Sequence, residues 1–255
     1  MVGIVPIMVP AQRRQQILRA VRSGMTHVGA LASEFGVSEM TVRRDLRDLE
    51  REGKLTRVHG GAVGVAAERP FAEIVIERFA QKDAIGALAA SMVEDGQTLM
   101  LDVGTTTLQL ARHLHGRDLT VITSNLAAYE ELLPESAIDL VLLGGVVRRN
   151  YRSLVGMLTE DALRQLRADV AFLGASGIEP DFTVVDTTMV EVPVKRAMLA
   201  AAGRSVLLVD STKFETRGVV RVCGAHELDA LVTDSGLPRR TRTALERMGL
   251  EVLVG

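Results

Sequence analysis

The 255-residue chain has very little cysteine, since Cys223 is the only one. A single cysteine excludes an internal disulfide and any metal site built on several thiolates, and it fits a reducing compartment. The chain also lacks a run of 18 or more apolar residues, so we expect no membrane span. The apolar residues 1–10 lack the basic start and cleavage site of a signal peptide. We interpret them as a disordered extension or a misassigned start, and we expect a cytosolic protein.

Positive charge is concentrated in the first quarter of the chain. Residues 1–66 carry ten Lys and Arg against six Asp and Glu, a net charge of +4, whereas the remainder carries −6. A length of 255 residues suggests one or two domains at about 150 residues each. The basic first part indicates that this part alone faces a polyanion, although many folded domains differ in charge by as much.

Residues 11–66 have the pattern of three short helices followed by a small hairpin. Ser38 is a suitable N-cap for the third helix, and Gly53 is its C-terminal stop. Apolar periodicity places the three helices and the following strand at 11–23, 28–35, 38–52 and 55–59. This order predicts a winged helix-turn-helix domain over 11–66.

A helix-turn-helix places the start of its second helix in the major groove of duplex DNA. Adjacent helical residues point about 100° apart, so one of Arg43 and Arg44 can enter the groove while the other binds the backbone. The candidate DNA contacts are Ser38, Thr41, Arg43, Arg44 and Arg47 on the helix, with Arg57 and His59 on the wing. The pattern alone is equally typical of a solvated helix face.

After a linker at 67–72, apolar strands alternate with helices, which predicts an α/β domain over 73–255. Residues 73–94 are helical by period. Strands are predicted at 98–102, 120–123, 139–143, 170–173, 205–209, 230–233 and 251–254, and helices at 106–114, 126–133, 159–166, 190–202 and 238–248. The alternation predicts a Rossmann-like, mostly parallel sheet covered on both faces.

Glycine and hydroxyl residues follow several of the predicted strands. Because the carboxyl ends of parallel strands meet at one edge, their loops lie together where ligands bind. Gly104–Thr107 joins a glycine to a helix start, which suits an anion, although threonine there is also an ordinary cap. The loop lacks the GKS or GKT sequence of a P-loop, and Lys213 would add positive charge. The other loops are 123–125, 144–145, 174–177 and 210–214.

Two motifs in the first part, TVRRDL and RVHGGA, together resemble the N-terminal domain of the DeoR family. The segments LDVGTTT, VITSN, LLGG, VAFLGASGI, LVDSTKF and LVTD resemble its C-terminal sensor domain, along nearly all of 73–255. The resemblance implies binding of double-stranded operator DNA through Ser38–Arg47. It also implies a sensor domain related to ribose-5-phosphate isomerase, with a phosphorylated sugar or a similar metabolite as effector.

The same resemblance assigns ligand roles to residues of the second domain. They are Asp102, Gly104, Thr105, Thr106, Thr107, Ser124, Asn125, Gly144, Gly145, Gly174, Ala175, Ser176, Gly177, Lys195, Asp210 and Lys213. One departure is Asp181-Phe182-Thr183, where the family usually has a glycine, so we expect Phe182 at the pocket rim to affect which ligand fits. No cofactor or metal ion is implied.

These features predict a repressor of carbohydrate-metabolism genes that acts as a homo-oligomer, a dimer or a tetramer, because one small head binds DNA weakly. The alternatives are an active sugar-phosphate isomerase with an appended regulatory domain, and a metabolite-binding module whose head contacts protein. In the isomerases an acidic DGAD-type loop stands where this chain has Leu173–Ser176, so we expect no turnover. Glu191 is either a base or, as we favour, a surface ion-pair partner of Lys195. For Asp45 we favour orienting a neighbouring arginine over contacting a base.

Overall fold

The computed structural model describes residues 9–22, 27–51, 56–58, 61–63 and 69–255. The chain divides into two compact units, Met1–Glu68 and Arg69–Gly255, which are described separately below. Residues 1–8 of the extension predicted at 1–10 lie outside the described residues, as does the wing residue His59; Pro10 instead begins the first helix. None of the helices in the described ranges is long and apolar enough to cross a membrane.

The first unit consists of three helices and a two-stranded antiparallel hairpin. Its elements are α1 (Pro10–Arg22), α2 (Val28–Phe35), α3 (Glu39–Arg51), β1 (Thr56–Val58) and β2 (Gly61–Val63). Gly36 adopts a left-handed φ of 60° and ends α2. The helices bury one apolar face each around Ile17, Leu31, Val42 and Leu46. The described elements therefore follow the winged helix-turn-helix order that the sequence predicts.

The second unit begins with two helices, α4 (Phe71–Ile74) and α5 (Phe79–Ala90), and then alternates strands with helices. Its further strands are β3 (Thr98–Leu101), β4 (Leu119–Thr123), β5 (Ile138–Leu142), β6 (Val146–Arg148), β7 (Ser153–Val155), β8 (Ala168–Leu173), β9 (Gly177–Ile178), β10 (Thr183–Asp186), β11 (Ala202–Leu208), β12 (Val220–Gly224), β13 (Ala230–Thr233) and β14 (Glu251–Val254). The further helices are α6 (Thr105–Arg112), α7 (Leu126–Leu132), α8 (Met157–Gln165), α9 (Val192–Ala201) and α10 (Arg239–Arg247), with short 3₁₀ turns at Ser211–Lys213 and Ala225–Glu227.

Seven strands form one parallel sheet in the order β14-β13-β11-β8-β3-β4-β5. Successive side chains point to opposite faces, so Leu99 and Leu101 belong to one core while Met100 belongs to the other. The first core includes residues of α5, α6 and α7, and the second includes residues of α8, α9 and α10. The predicted parallel sheet covered on both faces is confirmed.

Helix α5 packs closely against α6, because a Cβ at Gly86 would lie 2.7 Å from the backbone of Gln109. This contact brings the buried face of α5, which includes Lys82, alongside α6. The predicted continuous helix over 73–94 is wrong, since Arg78 adopts a left-handed φ of 50° between α4 and α5. The strands of the β6–β7 hairpin and of the small β12-β10-β9 sheet were also missed. They have two to five residues each, too few to show a period.

Candidate DNA-binding surface and ligand pocket

The start of α3 presents a basic, exposed face. Ser38 caps the helix, because its Oγ accepts a hydrogen bond from the Thr41 backbone N–H at 3.2 Å and lies 2.9 Å from the Thr41 hydroxyl. Arg43, Arg44 and Arg47 are all exposed. Arg43 pairs with Glu39, one turn earlier, at 3.2 Å. The predicted helix residues thus share one solvent-facing surface, as contact with a polyanion requires.

Asp45 is turned away from that surface. Its side chain is buried and binds the guanidinium of Arg13 on α1 through two hydrogen bonds, at 2.6 and 3.3 Å. The arginine that Asp45 orients is therefore distant in sequence and not the adjacent Arg44. Asp45 joins α3 to α1 and is not available to a base.

Met40 is a further candidate DNA contact that sequence reasoning missed. Its side chain is 81% exposed at the start of α3. An apolar side chain beside Thr41 suits contact with a thymine methyl group in the major groove. The side chains of Arg57 and His59 lie outside the described residues.

A pocket opens in the second unit at the carboxyl ends of the parallel strands. The predicted ligand residues that line it are Gly104, Thr105, Thr106, Thr107, Gly174, Ala175, Ser176, Lys195, Asp210 and Lys213. The polar or charged residues that line it without having been assigned to it are Glu77, Arg78, Lys82, Tyr151, Asp186, Glu191 and Thr212. Loops that follow β3, β8 and β11 thus meet in one cavity, as expected at the edge of a parallel sheet.

The Gly104–Thr107 loop forms the start of α6 within this pocket. Gly104 precedes the helix with φ 140°, a conformation that side chains rarely adopt. The first backbone N–H groups of a helix have no partner within it, and its dipole favours an anion there. The Thr107 hydroxyl donates to the Gly104 carbonyl at 3.0 Å and so holds the loop, while Thr106 is half-buried at the pocket.

Several predicted ligand residues lie outside the pocket lining. The fully buried Asn125 donates to the carbonyls of Asp102 and Gly104 and caps α7. It therefore holds the loop between β3 and α6 in place without lining the pocket. Ser124 is equally buried, and Gly145 lies against Thr159. The residues to which this correction applies are Asp102, Ser124, Asn125, Gly144, Gly145 and Gly177. Asp102, Ser124 and Asn125 are fully buried, and Gly145 and Gly177 pack closely against Thr159 and Thr216, whereas Gly144 has open space around it.

Lys195 is buried at the floor of the pocket and neutralises two carboxylates. Its ammonium binds Asp102 directly, donates to the Gly174 carbonyl at 3.0 Å and lies 3.6 Å from Asp186. Burial alone would lower the pKa of Lys195, but the carboxylates of Asp102, Asp186 and Glu191 raise it overall. The lysine therefore stays charged and holds the ends of β3 and β8 together.

Arg78 holds the ends of β11 and β13 together, as Lys195 does for β3 and β8. Its guanidinium lies 3.1 Å from Asp210, which follows β11, and 3.1 Å from Asp234, which follows β13. Asp210 also accepts hydrogen bonds from the Thr212 backbone and hydroxyl, and it caps the following 3₁₀ turn. The predicted ligand residue Asp210 is thus largely occupied by contacts within the chain.

Two lysines of the pocket form no ion pair with a carboxylate in the described part of the chain. Within the described ranges, neither Lys82 nor Lys213 lies within 4.0 Å of a carboxylate. Lys82 is only 4% exposed and donates to the Ile74 carbonyl at 2.7 Å. Burial lowers the pKa of Lys82; the carboxylates of Asp210 and Glu77 oppose this shift, whereas the charges of Lys213 and Arg78 add to it. Two cations that repel each other beside a helix N-terminus favour an anion between them.

Glu191 lies in the pocket and not on the surface. It precedes α9, is 4% exposed, and pairs with Arg148 of the β6–β7 hairpin, while the Ser153 hydroxyl donates to it at 3.1 Å. The favoured surface pair with Lys195 is therefore wrong, because Lys195 binds Asp102 instead. Burial raises the pKa of Glu191 to about 7, although Lys195 and Arg148 oppose that shift.

The raised pKa of Glu191 predicts a pH-dependent stability. Between about pH 5 and its pKa of about 7, folded Glu191 keeps a proton that the unfolded chain has released. The Tm of the wild type is therefore expected to fall, relative to Glu191→Gln, by a few degrees between about pH 5 and pH 8. Thermal melts of both proteins across this range measure it. Parallel Tm curves for the two proteins would show that Glu191 has no raised pKa.

The sequence contains a weak signal for one pocket residue, Lys82, whereas the expectation that Phe182 lies at the pocket rim is wrong. Lys82 lies on the buried face of α5 with Ile85, Gly86 and Ala89, so a lone cation on an apolar helical face was the available signal. Phe182 adopts a left-handed φ of 62°, which suits the usual family glycine, but it packs against the core and does not line the pocket.

The two units have the features of a regulator with a DNA-binding head and a ligand-binding sensor. Residues 13–67 match the DeoR-like helix-turn-helix domain, and residues 77–235 match the DeoR C terminal sensor domain. The chain belongs to the DeoR family and is a transcriptional regulator of this type.

Curated relatives match almost the whole chain. An uncharacterised HTH-type transcriptional regulator, YgbI of Escherichia coli strain K12, is 38% identical over 97% of this chain and 98% of its own. The HTH-type transcriptional regulator GolR of Listeria innocua is 32% identical over 97% and 99%. The glycerol-3-phosphate regulon repressor of E. coli K12 is 30% identical over 89% and 92%. Among solved structures, ribose 5-phosphate isomerase A from Methanocaldococcus jannaschii aligns over 52% of this chain and 53% of its own, with 20% identity and a TM-score of 0.39.

Proposed function

We propose that this regulator is a repressor of carbohydrate-metabolism genes, whose affinity for duplex operator DNA is controlled by a phosphorylated sugar or a related metabolite. The observation that carries the proposal is the pair Lys82 and Lys213, which faces the same pocket as the start of α6. A phosphate group would pair directly with both lysines, neither of which forms an ion pair with a carboxylate in the described residues. The name of one relative, a glycerol-3-phosphate regulon repressor, supports an effector of this chemical class.

In this proposal, different residues of the pocket bind different groups of the ligand. The backbone N–H groups of Thr105 and Thr106 bind the phosphate oxygens, and Lys82 and Lys213 balance their charge. Ser176 and Asp186, which hydrogen-bond each other at 3.0 Å, face the same cavity and suit the hydroxyl groups of a sugar. The pocket then binds its ligand without turnover.

DNA binding is assigned to the exposed face of α3 and to the wing. One helix-turn-helix head contacts few phosphates, so two or more copies on repeated half-sites give the affinity that a repressor needs. We therefore propose that a homo-oligomer, a dimer or a tetramer, binds the operator. The ligand acts only if the sensor's free and bound states differ in DNA affinity.

Thermal-shift measurements with sugar phosphates test the pocket directly. A bound phosphate ester is expected to raise the Tm of the full chain, whereas the matching unphosphorylated sugar is not. Lys213→Met is expected to weaken this binding about 10- to 100-fold, because a hydrogen bond to a charged group contributes about 1.5–3 kcal/mol.

The matched control is Arg167→Met, which removes an exposed cation just before β8, at the opposite end of the strands from the pocket. It should leave the ligand-induced shift unchanged. Equal losses in both variants would mean that overall charge, and not the pocket, determines the shift.

Sugar-phosphate isomerisation is the second candidate function, and Glu191 is the observation that favours it. A carboxylate with a pKa of about 7 inside a ligand pocket is a plausible general base. Incubation of the full chain with ribose 5-phosphate and related aldose or ketose phosphates decides between the two functions. Turnover that Glu191→Gln abolishes would establish an isomerase, whereas binding without turnover supports a sensor.

A further inference from the structure

Exposed apolar side chains of the second unit are concentrated in one segment of the chain. Of the fifteen large hydrophobic side chains that are exposed in the described residues, six lie between positions 141 and 158. We call them the β5–β6 surface, and they are Val141, Leu142, Val146, Val147, Met157 and Leu158. Six of fifteen within so short a segment is a cluster, and not the single scattered exposures that are normal on a protein surface.

The loop after β5, strand β6 and the start of α8 lie side by side, since the Thr159 hydroxyl of α8 donates to the Gly144 carbonyl at 2.6 Å. Val146 on β6 pairs with Val155 on β7, and a Cβ at Gly156 would lie 3.9 Å from the Val146 side chain. The start of α8, with Met157 71% exposed, therefore lies beside β6. Together the six side chains expose on the order of 500 Å² of apolar surface, toward the upper end of what monomers tolerate.

The two edges of the parallel sheet differ in how they are protected. Strand β14 at one edge carries Glu251, which pairs with Arg204, and its end lies against α5 next to Ala84. Strand β5 at the other edge pairs with no further strand in the described part of the chain. Strand β5 carries one charged residue, the exposed Asp139, and from Leu140 to Val147 the chain contains none. Edge strands that stay solvated usually carry charges or are covered, so the part of this edge beyond Asp139 has the character of a contact surface.

We propose that the β5–β6 surface binds the same surface of a second copy of this chain. In a two-fold symmetric contact each surface packs against its own copy, so an apolar patch meets an apolar patch and one unpaired strand edge meets another. An interface of standard size buries about 800 Å² on each partner, most of which this surface supplies. A helix-turn-helix head that reads paired half-sites also requires a second copy, which argues against a different protein as the occupant.

The hairpin that carries this surface also reaches the ligand pocket. Val146 and Val147 are exposed, while the next residue of β6, Arg148, binds Glu191 together with Ser153 of β7. Self-association and ligand binding are therefore expected to influence each other, a consequence that rests on the proposed function. The association itself needs no ligand, so its test can fail or succeed independently of the ligand proposal.

Sedimentation velocity of the full chain, without DNA or ligand, tests the surface. The wild type is expected to self-associate reversibly. Val146→Glu with Met157→Glu is expected to weaken self-association about 100-fold or more, because four like charges would meet around the two-fold axis. Met157→Glu alone, at the start of α8 where the helix dipole favours an acid, keeps the test valid if the double variant fails to fold. Circular dichroism verifies the fold.

Met248→Lys is the matched control. Met248 is exposed at the end of α10, which packs against β14 at the opposite edge of the sheet, and the helix dipole favours a cation there. It should associate like the wild type. The proposal is overturned by a wild type that stays monomeric at every concentration, by a folded double variant that associates normally, or by equal disruption in the control.

Discussion

Lys195→Met is expected to destabilise the second unit by about 3–5 kcal/mol, because removal of one partner from a buried ion pair leaves the other charge uncompensated. The variant would leave Asp102 fully buried and Asp186 nearly so, with no cation at the floor of the pocket. A loss of this size lowers the Tm by roughly 10 °C for a domain of this length. Thermal and urea unfolding of the wild type and the variant measure the effect.

Lys213→Met is the matched control for this prediction. It removes a lysine from the same pocket, but one that has no carboxylate within 4.0 Å in the described residues, so the stability without ligand should stay close to that of the wild type. Lys195→Asn combined with Asp102→Asn should recover part of the loss, since the fully buried charge of Asp102 is removed as well and only that of Asp186 remains uncompensated. A Lys195→Met protein as stable as the wild type would show that the pair is not what holds β3 and β8 together.

Arg43→Ala with Arg44→Ala is expected to reduce affinity for operator DNA about 100-fold or more. One arginine then no longer contacts a base, which contributes about 1–3 kcal/mol, and the other no longer neutralises a phosphate. The slope of log affinity against log salt concentration should become shallower by about one for each head. Fluorescence anisotropy at several salt concentrations measures both quantities.

The matched control is Arg239→Ala with Arg240→Ala, which removes an equally adjacent and exposed pair at the start of α10. It lowers the net charge by the same amount in the second unit. We expect its affinity and salt slope to equal those of the wild type. If the α3 variant instead binds DNA as the control does, the DNA-contacting face lies elsewhere.

Much of the fold follows from local pattern in the sequence. The helices of the first unit are amphipathic, and the strands of the large sheet are apolar runs between helices, so short-range periodicity locates them. The hairpin β6–β7 and strands β9, β10 and β12 escape this reasoning, because they have two to five residues and pair across turns or distant segments. The break at Arg78 also escapes it, since the residues on both sides favour a helix.

The loops that form the pocket were predictable from the sequence, but the pairing of its charged side chains was not. Gly104–Thr107 is a local feature, in which a glycine and a helix start adjoin in sequence. The partners of Glu191 and Lys195 are instead 43 and 93 residues away, Arg148 and Asp102, and a spacing of four residues wrongly suggested that the two pair with each other. Long-range packing therefore decides which cations of the pocket form no ion pair with a carboxylate, as is the case for Lys82 and Lys213 in the described residues.

The most direct test measures DNA affinity with and without a phosphorylated ligand. Full-length protein is titrated onto labelled DNA from upstream of its own gene, followed by fluorescence anisotropy, in the presence of sugar phosphates and of the matching unphosphorylated sugars. We expect at least one phosphate ester to change the affinity about tenfold or more, a coupling of about 1.4 kcal/mol, and its unphosphorylated sugar to leave the affinity unchanged. Sequence-specific binding that no phosphorylated compound alters, or no specific binding at all, would contradict a DNA-binding repressor controlled through this pocket.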